Sequence, residues 1–211
     1  MYPIIKQQGE TEFEVKKSQF ICYMDRIESV ESAQAIIEQR RRQHFKARHH
    51  CYAYIIGENK EIQRSSDDGE PAGTAGVPML EVLKHANVTN TIAVVTRYFG
   101  GIKLGKGGLI RAYGQSVTQS IQTLGLVQPV QQQQLHLLLP YSDFDPLQYF
   151  LANQQLPIIQ TEYTDKVQVT IGVEQSQVEA IWQQIQQQFA NRIQMTKGKL
   201  VVVEKELPTQ K

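Results

Sequence analysis

A glycine-rich stretch with two lysines is the part of the sequence whose residue types best suit a chemical role. It follows a β-branched apolar run that starts at Ile92, and it precedes an amphipathic helical pattern. Glycines let a backbone approach a ligand closely, and the free N–H groups at a helix N-terminus favour a phosphate or a carboxylate. We therefore expect an anion-binding loop made of Arg97, Tyr98, Phe99, Gly100, Gly101, Lys103, Gly105, Lys106, Gly107 and Gly108.

The spacing of this stretch is close to that of a nucleotide-binding P-loop. Residues 100–106 satisfy Gly-x-x-x-x-Gly-Lys, but Gly107 stands where a P-loop has the Ser or Thr that binds magnesium. No later apolar run ends in a convincing metal-binding aspartate. Because no complete catalytic constellation accompanies the loop, the sequence favours a binding function over an enzyme, and we assign no catalytic residue.

A second loop, residues 64–76, is rich in acids and glycines. Its candidate binding residues are Asp67, Asp68, Gly69, Glu70, Gly73 and Thr74. The three carboxylates could hold a divalent cation or act as general acid and base, although such clusters more often form turns and helix caps. The Asp-x-Asp-x-Asp-Gly spacing of a calcium loop is absent. We expect no cofactor, and a metal at Asp67, Asp68 and Glu70 is the weaker alternative.

A basic cluster lies at the end of the first predicted helix. Its candidate RNA contacts are Arg40, Arg41, Arg42, Lys46, Arg48, His49 and His50. Aromatic side chains such as Phe45 and Tyr52 stand among them, and such mixtures can stack bases while the charges follow a phosphate backbone. The simpler explanation of residues 40–42 is that the helix dipole favours cations at a helix C-terminus.

The elements that must position these loops can be predicted from periodicity. Strands are expected at residues 10–15, 19–26, 50–56, 61–65 and 92–98. One helix should follow the N-cap Ser29, a second should have Pro78 in its first turn, and a third should run to Leu124 with Gly125 as its C-cap. The inward side chains of the third helix are expected to be Leu109, Ile110, Tyr113, Val117 and Ile121.

The composition changes at Gln128, where glutamine becomes frequent and glycine rare, so we place a domain boundary there and expect domains at residues 1–127 and 128–211. The second domain has the pattern β-α-β-β-α-β, which is ferredoxin-like. Capping boxes are expected at Ser142 with Asp145 and at Ser176 with Glu179. The fold class is therefore α+β.

The composition is that of a globular protein, with 41% hydrophobic and 20% charged residues and a net charge of +1. The first part is mildly basic and the second mildly acidic. Cys22 and Cys51 lie in apolar runs and are expected to be reduced core thiols. No apolar run approaches the ~20 residues that span a bilayer, and residues 1–6 lack the core of a signal peptide, so we expect a cytoplasmic location and no membrane partner.

Residues 66–80 and 94–105 resemble the signature stretches of the IMPACT family, in particular its bacterial YigZ-type members. The second stretch has an aliphatic pair, then Arg97, two aromatic residues, a Gly-Gly pair and a later Leu-Gly. The resemblance implies an N-terminal domain of the type of ribosomal protein S5 domain 2 and a ferredoxin-like C-terminal domain. This pairing is similar to domains IV and V of elongation factor G, which points to ribosomes or RNA. The resemblance also implies that eukaryotic relatives regulate translation through a further N-terminal domain, which is not expected in this chain, so their partner is not carried over.

Three hypotheses for function remain open at this point. The first is a cytoplasmic translation-associated regulatory protein that binds RNA, the ribosome or a translation-factor surface through the two loops. The second is a phosphate- or nucleotide-handling enzyme with a divalent metal at the Asp67-Asp68 loop. The third is a protein-interaction module without chemistry. A small-molecule substrate is not expected.

Overall fold

A computed structural model describes residues 1–208 of the 211-residue chain. Contacts divide the chain into two compact units. The first contains Met1–Pro129 together with the C-terminal residues from Lys205, and the second contains Val130–Glu204. The α+β class predicted from the sequence is confirmed, because both units combine helices with an antiparallel sheet.

The elements of the first unit follow the predicted order. Its strands are β1 (Ile4–Ile5), β2 (Gly9–Val15), β3 (Ser18–Arg26), β4 (His49–Ile56), β5 (Ile62–Ser66) and β6 (Thr91–Tyr98), and the start of β7 (Leu126–Leu139) also belongs to it. Its helices are α1 (Val30–Gln43), α2 (Gly76–His85) and α3 (Gly105–Leu124). The main sheet has the order β2-β3-β6-β4-β5, and every neighbouring pair is antiparallel.

Strand alternation gives this sheet two apolar faces. Residues such as Cys22, Ala53 and Val95 pack in one core cluster with α2 and α3. The residues between them, such as Tyr54 and Val94, pack in a second cluster with α1. Side chains that are adjacent in β4 or β6 therefore lie on opposite faces of the sheet. This fixes which of the candidate site residues can meet.

The predicted ends of the three helices are confirmed, but one predicted inward side chain is not. Ser29 caps α1 in a capping box with Ser32, and Gly125 ends α3 as predicted. Helix α2 begins at Gly76, so Pro78 lies in its first turn as predicted, and the amides at its start have acceptors in the preceding loop. Ile110 was expected to point inward, but it is 43% exposed, while Ala112 and Ser116 are buried.

The second unit has the ferredoxin-like order. Its elements are the rest of β7, α4 (Phe144–Asn153), β8 (Ile158–Tyr163), β9 (Val167–Glu174), α5 (Val178–Gln188) and β10 (Gln194–Glu206) as far as Glu204. The strands are arranged β10-β7-β9-β8. Its core is built from strand residues such as Leu137 and Val169 against Leu147 and Ile181 of the helices.

The two capping boxes predicted for the second unit are wrong. A short 3-10 turn precedes each helix, at Tyr141–Asp143 and at Gln175–Gln177, so the helices start later than the Ser residues would place them. Neither helix has a side-chain cap hydrogen bond. None of the helices in residues 1–208 has the length and apolar content needed to cross a membrane.

Candidate functional site

Asp67 is the anion at the N-terminus of α2. One carboxylate oxygen accepts hydrogen bonds from the amides of Ala75 and Gly76 at 2.9 and 2.8 Å, and the other accepts from the amide of Gly73 at 2.8 Å. Partial burial opposes ionisation, but these amides outweigh it and hold the pKa of Asp67 below its ordinary value. The Asp67 carboxylate therefore holds loop 64–76 against the start of α2.

Asp68 joins the same loop to the basic cluster. Its carboxylate accepts hydrogen bonds from Arg41 at 2.9 Å and from the amide of His50 at 2.7 Å. Its carbonyl oxygen accepts from Nδ1 of His49 at 2.9 Å. The positive backbone φ of Asp68, 40°, turns the chain so that both groups reach these partners.

Glu70 is held in the interior by Arg97, a residue of strand β6, which leads to the glycine-rich loop. Its Oε1 accepts hydrogen bonds from Nη1 of Arg97 at 2.7 Å and from the hydroxyl of Tyr113 in α3 at 2.8 Å. The Arg97 and Glu70 side chains are only 7% and 4% exposed. Loops 64–76 and 97–108 therefore meet through this buried ion pair.

Cys51 lies beside this network without being activated by it. Its thiol contacts the carbonyl oxygen of Asp67 at 2.9 Å and the Tyr113 hydroxyl at 3.3 Å. Burial raises the pKa of the Cys51 thiol far above its ordinary value, and nearby carboxylates add to the rise. Burial likewise raises the pKa of Tyr113. Both groups therefore favour the neutral form, and the charges of this network are those of Glu70 and Arg97. Cys22 and Cys51 are free and buried, as predicted.

The glycine-rich loop is fastened to the β2–β3 hairpin. The amide of Gly100 donates to Oγ of Ser18 at 3.1 Å, and a Cβ at Gly100 would come within 2.0 Å of the Lys17 backbone. Gly101 and Gly105 have φ of +84° and +70°, a conformation that favours glycine. Helix α3 then begins without a side-chain cap and without an acidic residue in its first turn.

Unpaired cations surround this loop. Lys16 and Arg111 line, with Leu104 and Gly108, a cavity of about 180 Å³ beside the start of α3. Around this loop, the side chains of five cations form no hydrogen bond or ion pair with residues 1–208: Lys16, Lys17, Lys103, Lys106 and Arg111. Two exposed apolar side chains belong to the same loop, Phe99 at 58% and Ile102 at 44% exposure. We call these seven residues the cationic loop surface.

The basic cluster at residues 40–50 is divided by the fold. Arg40 is 3% exposed and is paired with Glu10, Gln43 and His44, and Arg41 is paired with Glu38 and Asp68. His50 is buried against Thr96, and burial lowers its pKa, although Asp68 opposes this change. Arg42, Lys46 and Arg48 are the cations of the cluster that lie exposed.

The predicted site residues therefore fall into three groups. Glu70 and Arg97 meet, and Asp67, Asp68, Gly69, Gly73 and Thr74 build the turn that holds Glu70 in place. Lys103 and Lys106 lie on the surface with Gly107 and Gly108. Tyr98 points to the opposite face of the sheet, where its hydroxyl contacts Nδ1 of His44 at 3.1 Å.

Four residues of the site are not evident from the sequence. Tyr113 was assigned to the core without its hydrogen bond to Glu70, and Lys16, Lys17 and Arg111 were not connected with the glycine loop. The hairpin and helix positions of these cations were predicted correctly. Two tertiary contacts show that they are neighbours: the approach of Gly100 to the Lys17 backbone, and the cavity that Lys16 and Arg111 line together.

The three loop carboxylates do not converge. Each has its own donors: backbone amides for Asp67, Arg41 and an amide for Asp68, and Arg97 with Tyr113 for Glu70. Among residues 1–208, no group of three or more His, Cys, Asp or Glu side chains is placed to hold a metal ion. The arrangement can present cations and backbone to an anion.

The fold is that of a two-domain α+β protein. Its first domain contains loops 64–76 and 97–108, which meet at the ion pair of Glu70 and Arg97. The family model described as the Impact N-terminal domain matches residues 16–121, and the model described as a domain of unknown function, DUF1949, matches residues 137–192. The chain belongs to the IMPACT family.

Relatives match along most of the chain. IMPACT family member YvyE of Bacillus subtilis is 41% identical over 97% of this chain and 94% of its own length. IMPACT family member YigZ of Escherichia coli is 38% identical over 78% of this chain and 82% of its own. A crystal structure described as a hypothetical protein is 32% identical, with a TM-score of 0.59, and covers 94% of this chain and 97% of its own.

Proposed function

We propose that this protein is a cytoplasmic, translation-associated regulatory protein that binds RNA, including ribosomal RNA, through the cationic loop surface. The observation that carries the proposal is the uncompensated charge of that surface. Its five cations have no partner within residues 1–208, whereas the nearby acids Asp67, Asp68 and Glu70 are already engaged. A cationic surface without internal counterions favours a polyanion.

The glycines support the same proposal. A Cβ placed at Gly101 or Gly105 would meet no atom within 4 Å apart from the adjacent residues of the chain, so both positions face open space. Backbone N–H groups can therefore come close to a phosphate, as they do at helix N-termini that bind anions. The likeness of the domain pairing to domains IV and V of elongation factor G is a further argument for a ribosomal or RNA partner.

The enzyme hypothesis has no observation in its favour. A metal at the Asp67-Asp68 loop would have to compete with the amides that hold Asp67 and with Arg41, which holds Asp68. Glu70 would have to leave the buried Arg97. The RNA-binding proposal needs none of these contacts to break.

Charge reversal tests the proposal. The variant Lys103→Glu with Lys106→Glu should weaken binding to purified ribosomes and to single-stranded RNA. It should also reduce the slope of log K against log salt by about 1.4, because each lost phosphate contact to a single strand removes about 0.7. Filter binding over a series of salt concentrations measures both quantities.

The matched control is Lys197→Glu with Lys199→Glu, which changes the net charge equally at two exposed lysines of β10. This variant should keep the wild-type affinity and slope. Wild-type binding that is the same at low and high salt, or that survives reversal of Lys103 and Lys106, would show the proposal to be wrong.

A further inference from the structure

Phe99 is an exposed aromatic ring that is held in position from one side. The guanidinium carbon of Arg97 lies 5.6 Å from the centre of the Phe99 ring and 5.4 Å from that of the buried Phe20. Arg97 cannot move freely, because its side chain is buried and paired with Glu70. The Phe99 ring is nevertheless 58% exposed. A fixed ring with an open surface is what a stacking contact requires.

The surroundings of Phe99 match a nucleic acid strand better than an apolar partner. Lys103 and Lys106 follow Phe99 along the same loop. At Gly100 this loop lies against the backbone of the Lys16-Lys17 turn. Proteins that bind single strands combine such cations, which follow the backbone, with aromatic rings on which bases stack. In a duplex the bases are already stacked on one another and are not free to cover a ring.

Phe45 is the obvious competitor, since it is 75% exposed and lies in the basic cluster. Lys46 lies over its ring at 5.8 Å, so a cation already occupies one approach to it. Arg40 and Arg41 are paired within the protein, which leaves three exposed cations near Phe45, Arg42, Lys46 and Arg48, against five around Phe99. Fewer free cations therefore accompany Phe45 than Phe99.

We propose that Phe99 is the stacking position for an unpaired base, so that the RNA bound by the cationic loop surface is single-stranded. This inference rests on the proposed function and restricts the RNA partner to single strands. The cations supply affinity for any phosphate backbone, whereas Phe99 distinguishes a strand with unpaired bases from a duplex or from a backbone without bases.

Three labelled probes of equal length test the inference: an oligouridine, a blunt RNA duplex, and an abasic oligonucleotide with the same phosphates. The wild type should bind the oligouridine more tightly than the other two at one salt concentration. Phe99→Ala and Phe99→Leu should each bind it about tenfold more weakly with an unchanged salt slope, since stacking carries no charge. Phe99→Trp should retain binding, because tryptophan keeps a stacking face.

Phe99→Leu is the decisive variant because leucine keeps an apolar side chain but has no π-face. Tyr149→Ala and Phe45→Ala are matched controls that remove exposed aromatic rings elsewhere, 71% and 75% exposed, and both should bind like the wild type. Circular dichroism melts of every variant check that the fold is intact. Because Phe99 is mostly exposed, its replacement should leave the melting temperature nearly unchanged.

Several outcomes would overturn the inference. Wild-type binding that is equal for the oligouridine, the duplex and the abasic strand would leave the proposed function standing and remove the role of Phe99. The stacking role of Phe99 would also be wrong if Phe99→Leu bound the oligouridine as tightly as the wild type, or if only Phe45→Ala lost affinity for it. No binding to any of the three probes, together with binding to an acidic polypeptide such as polyglutamate, would contradict the proposed function too.

Discussion

At the scale of single residues, the ion pair of Glu70 and Arg97 determines how the two loops are held. Both side chains are almost fully buried, and Glu70 also accepts the Tyr113 hydroxyl. A buried pair gains little over apolar packing while it is intact, but the loss of one partner leaves an uncompensated charge in the interior. The pair therefore makes the loop arrangement specific.

Glu70→Ala should lower the free energy of unfolding by about 3–5 kcal/mol, because it leaves the Arg97 guanidinium buried without its counterion. Urea unfolding followed by circular dichroism measures the change. The matched control is Glu81→Ala, which breaks an exposed pair with Lys84 at 2.8 Å and should cost no more than about 1 kcal/mol. Equal losses in the two variants would contradict a special role for the buried pair.

Sequence periodicity could have identified part of this residue-scale detail. Arg40 follows Ala33 and Ile37 at helical spacing, so it had to share their buried face of α1. His50 alternates with Tyr52 and Tyr54 in β4, which places it on the face that α1 covers. The partners of Arg97 could not be predicted in this way, because Glu70 lies in a loop whose path no local pattern specifies.

At the scale of elements, Asp67 connects the acidic loop with the start of α2. The helix has no capping side chain at its own N-cap, Ala75, and the Asp67 carboxylate accepts from its first amides instead. The sequence predicted helix caps among the acids of this loop but not which acid would serve. The distance of eight residues from Asp67 to Ala75 exceeds every local capping pattern, and this is why the sequence did not identify Asp67 as the residue that holds these amides.

The lowered pKa of Asp67 makes α2 sensitive to acid. The folded-state pKa lies below the ordinary value of 3.8, so the ionised carboxylate contributes stability that is fully present above that value. The contribution is lost as the pH falls through the folded-state pKa. In Asp67→Asn, which has no charge to lose, stability should decline less below pH 3.8 than in the wild type.

Urea midpoints measured from neutral pH down to below 3.8 test this expectation. At neutral pH, Asp67→Ala should cost about 1–2 kcal/mol, the usual effect of removing a helix cap. Glu58→Gln, at an exposed turn position, is the control for removing one surface charge and should follow the wild-type pH profile. A profile of Asp67→Asn parallel to the wild type would show that the amides do not hold the charged form.

At the scale of the whole molecule, each unit has its own hydrophobic core. The first unit packs residues such as Met79 and Val95, and the second packs residues such as Leu137 and Ile181. The sequence anticipated both cores, because apolar residues recur at helical and strand periods on either side of Gln128. The fold was therefore largely predictable, whereas the cationic loop surface depends on tertiary contacts between a hairpin turn and a loop about 80 residues away, as in the bond from Gly100 to Ser18.

The chain has a different intrinsic reporter of unfolding in each of its two units. Its single tryptophan, Trp182, packs against the core of the second unit, and its two cysteines are buried in the first. Leu137→Ala removes a fully buried side chain and should destabilise the second unit by about 2–5 kcal/mol. Its urea midpoint should fall when read by Trp182 fluorescence and stay unchanged when read by thiol labelling.

Met79→Ala should give the opposite result, a lower midpoint for labelling of Cys22 and Cys51 with an unchanged fluorescence transition, because Met79 is fully buried in the first core. Val202→Ala, at a position 57% exposed, should shift neither probe. If either core variant moves both transitions equally, the units unfold as one cooperative body. In that case a variant of the cationic loop surface could weaken RNA binding by destabilising the second unit. Trp182 fluorescence of each loop variant would then distinguish this effect from a loss of direct contacts.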